Sequence, residues 1–342
     1  MPGYLFFKHI SDYPSDRTTG WAGNLQGVTH DEDNWFITQQ NRIWKIPVGV
    51  DLNSTMNKAD PDRGIITAPI PSALAKLYDH FGGLGYWDGY LFVAVEKMDS
   101  NRTARIACFN ADTLDYLDSA LLPEQKEKAT WCAVNPADGL LYSARSDGVT
   151  QLFAYQFAVK SNRLTVTLDR MVNLMNERGE IFKVDSVQGG MFTSENGENY
   201  FYLASNSDDS RGVHVFRWPE GKRIQGISIP GDSGTLGEEV EGLTYWDLDS
   251  GKAPKIRGQV HVLELDNDLI TGDDVKCFKH YRVIKSPYVA NCNPACREVH
   301  RWDCRWIDLM LQRHKVAYYS LPKALKDGYD GCHYCLEKYH TR

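Results

Sequence analysis

The sequence predicts an all-β chain: a β-propeller, with five blades favoured over six, followed by a small C-terminal α/β zinc-knuckle module. Three observations carry that prediction. Five related segments recur through the first 275 residues, strongly helical windows are scarce before residue 300, and five of the eight cysteines fall in the last 51 residues.

The repeats open at Gln26, Gly82, Cys132, Gln188 and Glu241, so their starts are 56, 50, 56 and 53 residues apart. Each begins with a small polar-Gly or Cys-Ala step and a short apolar strand, passes an Asp/Asn/Gly turn, and enters a second apolar strand. A third follows with alternation such as Arg42-Ile43-Trp44-Lys45-Ile46 or Val213-His214-Val215-Phe216. Period-two alternation bounded by turn residues is a strand signal. A spacing near 50 with three or four strands per unit suits one propeller blade, and five such blades use about 265 residues. Each blade is too thin to bury both faces alone, so ring closure supplies the packing. Segments 55 to 80 and 160 to 185 leave room for a degenerate sixth blade. Trp21, Trp35, Trp44, Trp87, Trp131, Trp218 and Trp246 are expected to fill wedges between blades rather than line a carbohydrate-binding surface.

Composition narrows the class. The 342 residues carry a net charge of -7, with 42% hydrophobic and 12% aromatic side chains, which excludes disordered, collagenous and low-complexity chains. No run of about 18 uncharged apolar residues exists, so no membrane span is expected. The amino end, MPGYLFFKHISDYPSDR, lacks a basic leader and a small-residue cleavage site, and a cytoplasmic location is the expectation. Asn53-Ser54-Thr55 and Asn101-Arg102-Thr103 then read as plain surface turns. The charge is uneven: residues 1–275 hold 25 basic and 39 acidic groups, net -14, whereas residues 276–342 hold 13 and 6, net +7. That cut gives the expected domains, a propeller over 1–275 and a basic Cys/His-rich knuckle over 276–342 with its core at 300–336.

The Glu241-Gly242-Leu243 step resembles the innermost strand of propellers in the phytase-like, lactonase-like and SdiA-regulated group. That resemblance implies that the residue before the glycine points to the central channel. Gln26, Gln188 and Glu241 would then ring the axis, with Asp185, His30 and Asp247 near it. Such a ring could take calcium or another divalent cation, because calcium wants several converging oxygen ligands. The favoured alternative is that these side chains hydrogen-bond between blades and fill the axis. No nucleophile elbow, phosphate loop or His-Glu zinc helix is present, and no catalytic residue is assigned.

The sharpest motif lies in the tail. His300-x3-Cys304, a 27-residue gap, and Cys332-x2-Cys335 form two close pairs of metal-ligand type separated by a small insert. The stretch His300 to Leu336 resembles the small metal-binding domain known from the Ada-type DNA alkylation-repair protein, including the segment Tyr319-Ser320-Leu321-Pro322-Lys323-Ala324 to Gly328-Tyr329. That resemblance implies a Cys3His zinc site of structural role. It departs from the family in placing His300 at the first ligand position, so the alkyl-accepting chemistry is not carried over. Ser320, Pro322 and Gly328 suit the cap, first turn and end of a short helix. Cys292-x3-Cys296 offers competing ligands, His333 and His340 are further candidates, and a disulfide from Cys304 to Cys332 or Cys335 is the alternative to zinc.

The favoured function is a binding or scaffold propeller that recognises a protein or small ligand on one face. A metal-dependent hydrolase of phosphoesterase or lactonase type, with its site at the channel, is the enzymatic alternative. Nucleic-acid binding is the third, through Arg297, Arg301, Arg305, Arg313, Lys315, Lys323 and Lys326 interleaved with Trp302, Trp306, Tyr318 and Tyr319. Docking of a basic tail on an acidic propeller explains the same charges.

Overall fold

In a computed structural model the chain is almost entirely β, and the structure describes residues 3–54, 56–97, 103–125, 128–195, 197–207, 211–229, 238–268 and 272–341. Strand β1 (Tyr4–Arg17) comes first. The next sheet holds β2 (Leu25–His30), β3 (Asn34–Gln39), β4 (Arg42–Pro47) and β5 (Ile66–Pro69). A single helical turn, α1 (Ser72–Ala75), leads to β6 (His80–Trp87), β7 (Tyr90–Glu96), β8 (Arg105–Asn110) and β9 (Tyr116–Leu121). The third sheet is β10 (Trp131–Val134), β11 (Leu141–Ala144), β12 (Gln151–Lys160) and β13 (Arg163–Asn173). The fourth is β14 (Val187–Glu195), β15 (Glu198–Ser205), β16 (Gly212–Trp218) and β17 (Lys222–Ser228). Each is an antiparallel meander in chain order.

The fifth sheet is built differently. Its inner strands are β18 (Glu239–Tyr245), β19 (Val260–Asp268) and β20 (Gly272–Ser286), and its outermost strand is β1. Tyr4 lies opposite Ser286 and Arg17 opposite Val275, so the apolar amino end is a ring-closing strand. Hydrophobic clusters then join sheet one to two, two to three, three to four, four to five, and five back to one. The body is therefore a β-propeller, with five four-stranded sheets in its ring among the described residues.

Tryptophans fill the wedges as expected. Trp21, Trp35, Trp44 and Trp246 sit in the cluster between the fifth and first sheets, and Trp131 and Trp218 in the one between the third and fourth. Trp87 differs, being half-buried at the axis. Residues 56–80 supply β5 and α1, and 160–185 the outer part of the third sheet. Asn53 is exposed in a turn, whereas Thr55 and Asn101-Arg102 lie outside the described residues.

The tail forms a sheet of its own from β21 (Tyr288–Asn291), β22 (Glu298–Arg301), β23 (Lys315–Tyr318) and β24 (Asp330–Gly331), in the order β23-β21-β22-β24. The short helices α2 (Arg305–Asp308) and α3 (Leu321–Lys326) flank it, α3 starting after Ser320 and ending before Gly328 at φ +85. Residue 275, where the charge pattern suggested a division, lies inside β20, which stays in the fifth sheet to Ser286. Lys276, Lys279, Arg282 and Lys285 are thus propeller residues. Counted from 287, the tail has nine basic and six acidic side chains, net +3, against 29 and 39, net -10, for residues 1–286. The sequence break fell early because β20 carries ion-pair partners for its own ring: Lys279 reaches Glu264 at 3.2 Å, Arg282 reaches Asp249 at 2.7 Å and Lys285 reaches Glu198 at 3.1 Å.

The tail docks on the strand that closes the ring. Tyr4 and Phe6 of β1 pack with Val289, Cys304, Ile307 and Cys332. Lys315 Nζ donates to the Tyr4 hydroxyl at 2.7 Å, and Lys222 pairs with Asp308 at 3.3 Å. In the tail, Ile307 is fully buried, whereas Leu309 and Leu311 are exposed.

Candidate metal centre and propeller axis

His300 ends the second strand of the tail sheet, Cys304 opens α2, and Cys332 and Cys335 sit on the turn after β24. The sheet brings these four together: one donor atom from each lies within 4.8 Å of all the others. Cys304 Sγ is 3.5 Å from His300 Nδ1. With metal–sulfur bonds of about 2.3 Å a tetrahedral site has sulfur–sulfur edges of about 3.8 Å, so the donor set fits a metal ion. His300, Cys304 and Cys332 are buried and Cys335 half-buried.

The surroundings hold the Cys304 sulfur in its anionic form, while burial raises the Cys332 thiol. The Cys335 thiol, hydrogen-bonded to Cys304, holds the Cys304 pKa down to about 4, with burial opposing and His300 helping. The same bond pushes Cys335 far up, because its proton is the one shared. Backbone N–H groups of Tyr334 and Cys335 face the Cys332 sulfur, and that of Arg301 donates to Cys335 Sγ at 3.3 Å. His300 turns Nδ1 to the sulfurs and Nε2 toward Glu298, 3.7 Å from its carboxylate, the placing that orients a metal-bound imidazole. All eight cysteines are free thiols. Cys292 Sγ faces the Arg313 carbonyl at 3.8 Å and Cys296 is exposed, so neither joins the cluster. His340 Nδ1 is bonded to the Gly331 carbonyl at 2.9 Å, with the His333 ring packed against it.

At the axis the five repeats lie in one register. Their second residues are Gly27, Gly83, Ala133, Gly189 and Gly242. A Cβ on Gly242 would sit 2.7 Å from Gly27 Cα, and one on Gly27 only 2.8 Å from Gly83 Cα. The inner strands therefore touch backbone to backbone, and the axis has a waist that separates two mouths.

The first residues of the repeats lie toward a polar mouth. Gln188 Nε2 donates to Glu241 Oε1 at 3.2 Å, and Gln26 Oε1 accepts from His80 Nε2 at 2.7 Å. Burial, then Lys128, brings the His80 pKa down to about 4, so the imidazole is neutral, and its Nδ1 has no hydrogen-bond partner. Burial pushes the Glu96 carboxyl up to about 7 although Lys128 Nζ lies 3.2 Å away. Asp185 does not join this group. Its carboxylate accepts the Gly148 N–H at 2.6 Å and pairs with Lys183 at 2.9 Å on a partly exposed turn. Asp247 likewise serves its own turn, accepting from the Asp249 N–H. Among the described residues the tail cluster is the one place where three or more thiols, imidazoles or carboxylates converge, so Glu241 has no such company at the axis.

The fifth residues, His30, Tyr86, Pro136, Phe192 and Tyr245, line the opposite mouth, a cavity of ≈ 210 Å³. His30 was expected near a channel cation, yet both its nitrogens are engaged, by the Asp31 and Tyr245 carbonyls, and its ring stacks on Trp246 at 4.2 Å. Sequence reading missed this mouth, and it missed His80, Glu96 and Lys128. The repeated Leu84-Gly85-Tyr86-Trp87-Asp88 and Leu243-Thr244-Tyr245-Trp246-Asp247 was the signal available for the mouth.

No family model matches the chain. No curated protein matches it either. Among solved structures the chain is similar to a GH43_1 enzyme from Xanthomonas citri complexed with xylose, at 10% identity and a TM-score of 0.47 over 80% of this chain and 89% of that one. It is similar to the RS223 β-xylosidase at 9% identity and a TM-score of 0.46, covering 82% and 95%. Kluyveromyces lactis Hsv2 overlaps it at 11% identity and a TM-score of 0.35, covering 77% and 73%. Overlaps this loose say nothing of what the chain binds.

Proposed function

We propose that the protein is a binding or scaffold propeller whose C-terminal knuckle is held by zinc against the ring-closing strand. The observation that carries this reading is the shared cluster in which Tyr4 of β1 packs on Cys304 and Cys332. Three thiolates and one imidazole complete a tetrahedral shell from protein alone, which is the closed form of a structural zinc site. Zinc there would supply cross-linking of three tail segments rather than an open coordination position. The axis supports binding over hydrolysis: its one carboxylate from the repeat openings, Glu241, is bonded to Gln188, and a glycine waist closes the channel.

Metal analysis of the purified full chain tests the zinc claim. One zinc per chain is expected, with Cys304, Cys332 and Cys335 shielded from alkylation until a strong chelator is added. Metal well below one per chain, with thiols that stay unreactive after chelation, would replace zinc by a disulfide. Phosphoester and lactone screens should be blank, and turnover that Glu241→Gln abolishes would replace the binding reading by a hydrolase.

A further inference from the structure

We propose that the aromatic mouth of the axis is a binding site for a small organic cation, an alkylated ammonium group on a short apolar stem. The inference rests on reading the body as a binding propeller, and adds where and what it binds.

The walls come from all five sheets, since the fifth residue of every repeat reaches this cavity, together with Trp87. No charged side chain lines it. Half-buried His30 contributes a ring: burial lowers its pKa, and the neutral imidazole, with a single N–H, donates to one of the two carbonyls that face its nitrogens. Tyr, Trp and Phe faces attract cations through their quadrupoles, and the attraction grows as the cation leaves water. A volume of ≈ 210 Å³ fits a few-carbon ammonium and not a long chain.

The rim supplies the sign. Two residues beyond each wall position the repeats carry Glu32, Asp88, Asp138, Ser194 and Asp247, acidic in four of five cases. Asp138 is taken by Arg170 at 2.9 Å. Glu32, Asp88 and Asp247 are exposed and hold no ion pair among the described residues. Asp247 accepts from the Asp249 N–H and the Gln259 amide, whereas the Glu32 and Asp88 carboxylates accept no hydrogen bond among the described residues. Lys252, whose charge reaches His30, bonds the Glu32 carbonyl and pairs with Asp33 at 2.8 Å. Carboxylates around an uncharged aromatic well draw cations toward it and repel anions.

The test is titration of the full-length protein with choline and with its neutral isostere 3,3-dimethylbutan-1-ol, followed by tryptophan fluorescence and calorimetry. Choline is expected to bind at least about tenfold more tightly, and to weaken as salt rises. Tyr245→Leu should lose most of the affinity. Because that wall variant touches packed residues, the triple rim variant Glu32→Gln, Asp88→Asn, Asp247→Asn serves beside it: it keeps turn hydrogen-bonding groups, should melt like the parent, and should weaken choline about tenfold at low salt. An isostere that binds as well as choline would overturn the cation assignment while leaving a ligand site. Absence of binding by both probes would overturn the site itself, while the scaffold reading would still stand or fall by its own metal and turnover assays.

Discussion

Tyr4→Ala asks whether ring closure and metal binding form one cooperative unit. The Tyr4 ring is buried against Ile307, Cys304 and Cys332, and its hydroxyl accepts from Lys315 while donating to the Ile224 carbonyl at 3.3 Å. Truncating a buried aromatic side chain costs about 3–5 kcal/mol. The half-buried Lys315 amine loses its hydrogen-bonded neighbour in addition. The contacts with Ile307, Cys304, Cys332 and Lys315 exist only when the knuckle is docked, whereas the bond to Ile224 lies within the propeller. If the metal-free knuckle is undocked, metal binding drives docking, and loss of about 3 kcal/mol lowers apparent zinc affinity by about two orders of magnitude. Competition for zinc between the full chain and a chromophoric chelator measures this, with hydrogen exchange of β1 followed in parallel. Tyr4→Phe, which removes the hydroxyl alone, should cost about tenfold. Unchanged zinc affinity in Tyr4→Ala, with β1 amides exchanging faster, would refute the coupling.

Three further outcomes are expected. Gly242→Ala puts a Cβ 2.7 Å from Gly27 Cα and 2.9 Å from Val28 N, backbone on both sides, so thermal unfolding should show a loss of about 1–3 kcal/mol or more. Gly49→Ala, with open space around its Cβ, should be neutral, and equal midpoints for the two would mean the waist is loose. Burial brings the His280 pKa down to about 4, so the unfolded chain takes a proton that the folded chain refuses between about pH 6.5 and pH 4. Stability present above pH 6.5 is therefore lost as pH falls, by about 3 kcal/mol, and urea titrations of His280→Gln should lose that much less; His80, also lowered to about 4, slopes the same way and Glu96, raised to about 7, the other way in both proteins. Lys315, whose pKa burial lowers to about 8, should be replaceable by Met with little loss or a small gain in stability at pH 7, and a loss above about 3 kcal/mol would show that its bond to Tyr4 outweighs its desolvation.

What the sequence discloses follows the range of the interactions involved. Repeat starts are visible because the second residue of each is small for a local reason, the approach of neighbouring inner strands. The tail ligands are visible because His300-x3-Cys304 and Cys332-x2-Cys335 are each set by one turn. Strand β1 is not, since its partner β20 lies some 270 residues away and an apolar amino end invites comparison with a leader. Asp185 misled because it stands three residues before Gln188, close in sequence yet on the turn where Gly148 and Lys183 hold it. The mouth is hidden because its five wall residues, His, Tyr, Pro, Phe and Tyr, share no letter. Only ring closure shows that they occupy one level.

Where β20 belongs also changes what the charges can do. A tail of +7 facing a body of -14 would be a polycation waiting for a polyanion, but four of those basic groups lie on a propeller strand and three of them pair with Glu264, Asp249 and Glu198. Within the remaining +3, Arg301 is bound to Asp303, Lys323 to Asp327, Arg297 to the Asp327 carbonyl and Lys315 to Tyr4. Phosphate contacts by these four would have to displace these bonds, and counterion release would reward only the other five. The acids are distributed the other way: three of those around the aromatic mouth stay exposed and without an ion pair among the described residues. Exposed carboxylates thus stand beside an aromatic well, and the electrostatics of that mouth favour a cationic ligand over an anionic one.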